Sequence, residues 1–275
     1  MIVNAKNLKG LEIRAAEGDI GTVDQFYFDD ESWAIRYLAV HTGGWLGGRQ
    51  VLTSPFSIVQ ADWRANTLDV ALTKKQLEHS PDINTHQPVS RQHEAEYNRY
   101  YGYPYYWGGP FLWGPAPYPA GLNASTASRD AMGDSQSEST DSHLRSSDAV
   151  AGYYIEAADG EIGHLDGFVV DDDAWAIRYL EVATRNWWPG KKVLVSPAWI
   201  ERVSWPESKV YAGLSRKTIQ EAPEYVESIP ISREYENRLY AHYGRPPYWL
   251  HGAEHESSFS LSKRLSSGVG VQSGR

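Results

Sequence analysis

Asp29-Asp30-Glu31 and Asp171-Asp172-Asp173 are the densest runs of oxygen ligands in the chain, and clustered oxygens are what a hard cation takes. Neither run has the spaced ligands and turn glycine of a calcium loop, so each reads as a solvated hairpin turn. The nine histidines are scattered. His41, His79 and His164 have Ala183, Glu221 and Thr22 at the equivalent places of the repeat described below, so no metal set recurs. Ser54 and Ser196 each precede a proline after a strand, outside any G-x-S-x-G elbow, and read as turn residues. Gly43-Gly44 and Gly47-Gly48 are followed by no G-K-[ST], so they do not form a phosphate loop. No catalytic residue, cofactor site or metal site is expected, and the chain does not read as an enzyme.

The residues with interaction chemistry are arginine and tryptophan. Arg36 and Arg178 recur in mid-strand. A guanidinium held there needs a carboxylate, since leaving it buried alone is costly. Asp24 and Asp166 recur on the neighbouring strand, so a structural ion pair is expected, with an anion or partner contact as the sharper alternative. Trp45, Trp187 and Trp188 lie on loops, where aromatics either anchor an interface or plug the end of a barrel. The aromatic run from Tyr100 to Trp107 is expected to dock on its own domain, behind a helix that must be anchored.

These residues recur because the chain repeats itself. Trp33-Ala34-Ile35-Arg36-Tyr37-Leu38 returns 142 positions later as Trp175-Ala176-Ile177-Arg178-Tyr179-Leu180. The same offset carries Gly18 and Gly21 to Gly160 and Gly163, Ser54-Pro55 to Ser196-Pro197, and Tyr106-Trp107 to Tyr248-Trp249. A period this long means two domains, not a solenoid. The expected division is repeat one over 1–107, a Gly/Pro-rich then Ser/Asp-rich linker over 108–149, repeat two over 150–249, and a tail over 250–275. Residues 123–148 have too little apolar surface to offset chain entropy and are expected to be disordered, as is the tail.

Within a repeat, period-two alternation and turn residues predict short strands at Leu11–Arg14, Ile20–Phe28, Trp33–Val40, Arg49–Leu52, Ser57–Asp62 and Thr67–Leu72. Both faces of the Trp33–Val40 strand carry apolar residues, which suits a closed small barrel with something packed outside. Thr73 or Ser215 caps a short helix that Pro81 or Pro223 ends, and Ser90 or Ser232 caps a second that stops at Gly102 or Gly244.

The Gly-x-Ile-Gly turn, the acidic turn before Trp-x-Ile-Arg-Tyr-Leu and the Val-Leu-x-Ser-Pro step resemble the PRC-barrel family, in both repeats. The resemblance implies a mainly β fold: two small, strongly bent barrels, each followed by short helices. It also implies contact with other macromolecules and no covalent chemistry. That family includes the cytoplasmic part of the photosynthetic reaction centre H subunit and a domain of a ribosome maturation factor. The expected function is therefore a tandem binding or scaffolding protein whose two surfaces, on a flexible tether, gain avidity. The alternatives are an accessory of a photosynthetic or other membrane electron-transfer complex, and a ribosome-associated factor. A protein partner is expected. Direct nucleic-acid binding is not, because a formal charge of −9 is a poor match for phosphate backbones. No run of 18 or more apolar residues offers a membrane span, and the absence of cysteine fits a cytoplasmic location.

Overall fold

Each repeat builds a path of six strands, and each path gains a seventh strand from the other repeat. A computed structural model describes residues 1–81, 89–119, 143–184 and 191–250. In chain order the first copy holds β1 (Ile2–Asn4), β2 (Glu12–Ala15), β3 (Gly18–Asp29), β4 (Ile35–His41), β5 (Gln50–Thr53), β6 (Ile58–Asp62) and β7 (Thr67–Val70). Helices α1 (Lys74–Glu78) and α2 (Arg91–Tyr101) follow. The second copy holds β8 (Leu144–Ser146), α3 (Ser147–Val150), β9 (Tyr154–Ala157), β10 (Gly160–Asp171), β11 (Ala176–Ala183) and β12 (Lys192–Val195). It continues through β13 (Ile200–Ser204), β14 (Lys209–Ala212), α4 (Arg216–Gln220) and α5 (Arg233–Tyr243).

The first sheet runs β5-β4-β3-β2-β7-β6 and the second β12-β11-β10-β9-β14-β13. In each, one parallel pair (β2·β7, β9·β14) sits among antiparallel ones. The tight entry into β3 depends on glycine. A Cβ on Gly21 would lie 2.0 Å from the His41 carbonyl oxygen, and one on Gly163 equally close to that of Ala183. Only a bare Cα lets neighbouring backbones approach so closely.

β1 and β8 are exchanged. β1 pairs with β10 (Ile2 opposite Asp171, Asn4 opposite Val169). β8 pairs with β3 (Leu144 opposite Asp29, Ser146 opposite Tyr27). Beyond the stretch where β2 covers it, β3 presents an edge of free N–H and C=O groups, and the strand from the other copy takes that edge. The two copies therefore share one clasped junction, with Phe168 against Phe26 and Phe28 at ring-centroid distances of 5.8 and 5.5 Å.

The mainly β fold with short helices is observed, but the expected closed barrels are not. β5 and β6 end the path without pairing to each other. In the turn between them, Pro55–Ser57, the Ser57 N–H closes on the Ser54 carbonyl at 2.9 Å. Tyr97 of α2 fills the gap instead. Its hydroxyl donates to the Leu52 carbonyl at 3.0 Å and accepts from the Ser54 N–H at 3.2 Å.

Two local expectations also change. The fourth strand starts at Ile35, not Trp33, because Trp33 adopts a left-handed φ of 58°, as Trp175 does at 50°. Of the stretch expected to be disordered, residues 143–148 carry β8 and the start of α3, ordered by the pairing of β8 with β3. Residues 120–142 and the tail 251–275 lie outside the described residues. In the Gly/Pro-rich stretch after residue 108, Trp113 is among the most deeply buried side chains, 1% exposed.

Candidate interaction surface

The junction gathers most of the polar chemistry. Asp29 does not sit in a solvated turn; it is buried and accepts from the N–H groups of Glu31 (3.0 Å) and Ser32 (2.9 Å). Asp30 pairs with Arg145 of the exchanged strand at 2.7 Å. The turn is the expected hairpin, with Glu31 and Ser32 exposed, but the exchanged strand covers its Asp29–Asp30 end.

Arg36 is 2% exposed. Its carboxylate is Asp29, at 3.9 Å, not Asp24. The β3·β4 register sets Asp24 beside Ala39 and Val40, too far along the strand to reach Arg36, and it accepts instead from Gln50 at 3.0 Å. The Arg36 guanidinium also donates to the Leu112 carbonyl (2.7 Å) and Ser32 Oγ (3.0 Å). It lies 3.6 Å from the Tyr106 ring centroid and 4.8 Å from that of Trp113. Burial lowers its pKa, opposed by Tyr106 and Asp29. Arg178 likewise takes Asp171, at 2.7 Å, and Tyr248, at 4.2 Å from the ring centroid, but stays a quarter exposed.

Trp45 lies on the 3-10 turn Gly43–Leu46, 37% exposed, with its indole N–H on the Ile20 carbonyl and Lys74 5.4 Å above its ring. It is pinned to its own copy on one side and open on the other. Trp187 and Trp188 lie outside the described residues. The structure thus brings Arg36 and Arg178 to the junction and leaves Trp45 away from the groove described below.

Two ionisable clusters have no counterpart in the expectations from sequence. Glu94 on α2, 2% exposed, accepts from Tyr106 (2.7 Å), Tyr37 (3.4 Å) and Arg91 (3.2 Å). Glu236 on α5 repeats the arrangement with Tyr179, Tyr248 and Arg233. Burial pushes the Glu94 carboxyl up to about 7, with Arg91 and the Tyr106 hydroxyl pulling back only in part. Both glutamates are closed off from solvent and fasten a helix to its sheet. Sequence spacing alone marks them, since Tyr37, Glu94 and Tyr106 each recur at the repeat offset.

The second cluster is asymmetric. Asp166, Glu181 and Glu227 converge closely enough to hold a cation, but Lys192 Nζ already lies 2.7, 2.5 and 2.6 Å from them. Lys6, reaching across from the other copy, adds contacts to Asp166 and Glu227 at 2.6 and 2.7 Å. Burial pushes the wholly enclosed Glu181 carboxyl up; the two ammonium groups outweigh burial at Asp166 and hold it well below the usual carboxylate range. Ammonium groups thus stand where an ion would.

Beside Arg178 a groove of about 520 Å³ opens between the copies. Trp33 and Leu112 enter from the first copy; Arg178, Ala198, Arg202 and Tyr248 line it from the second. Acidic Asp30, Glu31 and Glu201 border it. Arginine, tyrosine and tryptophan on such a concave face are the side chains from which protein interfaces draw most of their energy.

Residues 2–74 match the PRC-barrel domain family model. The PRC-barrel match runs from β1 to the first residue of α1, so the exchanged strand β1 belongs to the matched stretch. The second sheet lies beyond the match but repeats the strand order and the parallel pair of the PRC-barrel sheet. No curated protein matches the chain.

Proposed function

We propose that the chain is a non-enzymatic interaction protein that docks a protein partner in the groove between its two copies. The observation carrying this reading is the groove itself: an open concave surface of arginine and aromatic side chains with a polar rim, at a junction whose buried carboxylates are otherwise engaged internally. The PRC-barrel match supports an interaction or scaffolding role. The exchanged strands fix the copies to one another, so any two-site engagement relies on a set geometry, not on a loose tether. An accessory role at a membrane electron-transfer complex would use the same groove; among the described residues no helix is long and apolar enough to cross a membrane. A cytoplasmic setting belongs to this reading and is supported by the absence of cysteine.

A photo-crosslinking residue at Glu201, on the groove, tests it against the same group at Glu12, on the exposed side of β2. The expected result is a protein adduct from position 201 that is lost when Ala198→Phe fills the groove. Equal adducts from both positions, indifferent to Ala198→Phe, would overturn the reading.

A further inference from the structure

The groove in the second copy corresponds to a place that the first copy fills with its own chain. There Trp113 sits with its ring 4.8 Å from the Arg36 guanidinium and edge-on to Phe56 at 5.0 Å. Its indole N–H donates across the junction to the Ala174 carbonyl at 2.7 Å. A tight Gly/Pro-bounded turn delivers it: Phe111 and Gly114 exchange backbone hydrogen bonds of 3.1 Å, and the Leu112 carbonyl accepts from Arg36.

At the repeat offset, each wall of that seat reappears around the groove. Arg178 replaces Arg36, Tyr248 replaces Tyr106, Ser32 replaces Ala174 and Ala198 replaces Phe56. The largest change of size, phenylalanine to alanine, widens the seat. Among the described residues one ring, Tyr248, lies over Arg178, where two rings lie over Arg36. Arg178 lines the groove and stays a quarter exposed there. A flat, electron-rich ring there gains the cation–π attraction that Arg36 obtains from Trp113.

We infer that the groove receives a tryptophan carried on a Gly/Pro-rich turn of a partner protein, seated over Arg178 as Trp113 is over Arg36. The Ser32 carbonyl awaits its indole N–H. This deepens the proposed function and rests on the groove being an interaction site. Ala198 is exposed, so enlarging it fills the seat without disturbing the core.

A peptide copying residues 108–118 (GGPFLWGPAPY), with fluorotryptophan at its single indole, is titrated with the full chain and followed by fluorine NMR. The expected result is a shifted, broadened resonance. Ala198→Phe and Arg178→Leu should each weaken binding by about tenfold or more, roughly 1.4 kcal/mol, and a peptide with alanine for tryptophan should not bind. No binding up to about 1 mM, equivalent to only about −4 kcal/mol, would overturn the inference, as would binding indifferent to Ala198→Phe. If the peptide fails while the groove adduct from position 201 persists, only the tryptophan occupant falls. Loss of both removes the groove as an interaction site.

Discussion

The Ile35 N–H donates to the Trp175 carbonyl at 2.7 Å, and the Ile177 N–H returns the bond to the Trp33 carbonyl at 2.8 Å. Both tryptophans hold left-handed backbones, a conformation costing a bulky L-residue about 1–2 kcal/mol. The strain sits where the copies meet. It turns each carbonyl onto the other copy, and in the first copy Trp33 also stacks on Phe28 at 5.4 Å.

Because the bonds and strands are reciprocal, either half alone lacks the strand that covers its long β-edge. Residues 1–119 produced without the remainder should dimerise, with β1 of one molecule covering β3 of the next, since β1 and β8 meet their partners in equivalent registers. Light scattering after size exclusion checks this. A stable monomer would show that the edge needs no cover.

Phe168 links the two copies through Phe26 and Phe28. Phe168→Ala should cost about 3–5 kcal/mol, the range for removing a buried phenylalanine ring. The loss should lower one shared melting transition in calorimetry. Two transitions, with only one displaced, would mean that the copies unfold independently.

Glu94 makes stability depend on pH. Its folded value of about 7 lies above the ordinary 4.5, so between these the native chain binds more protons than the unfolded one. The sign follows: the contribution is most favourable below about 4.5 and is lost as pH rises through about 7. Urea melts at about pH 5 and about pH 8 should differ by an extra 1–3 kcal/mol, roughly, in the wild type relative to Glu94→Gln. Equal differences in the two proteins would mean that Glu94 titrates normally.

At the Lys192 cluster, removing one partner and removing both should differ in outcome. Lys192→Ala leaves the enclosed Glu181 with Lys6 at 3.5 Å and should cost about 3 kcal/mol. The first copy carries Ala39 and Gln50 at the equivalent places. Glu181→Ala with Lys192→Gln should therefore lie within about 1 kcal/mol of wild type by denaturant melts. A double variant as weak as the single one would show that the ion cluster itself stabilises the fold.

Much of one copy was legible because its signals are local. Ser90 and Gly102 cap α2 as their types require, and Thr73 forms a capping box with Gln76. The partner of Arg36 was not legible, because the β3·β4 register, which sets Asp24 beside Ala39 and Val40 and brings Asp29 to Arg36, is not written in either strand alone. The strand exchange was hidden for another reason. Leu144-Arg145-Ser146 is three residues at the end of a Ser/Asp-rich stretch, and its extended form comes from the edge of β3, hundreds of atoms distant along the chain. The groove was equally hidden, since it arises from Ala198 standing where Phe56 stands in the other copy.

The reciprocal clasp also bears on how the chain is born. β1 is translated long before its partner β10, and β3 long before β8. The N-terminal copy thus emerges with an uncovered edge and a strand lacking its mate. A pause in translation before Leu144 would hold the nascent chain at its most adhesive, with the β3 edge still waiting for its cover.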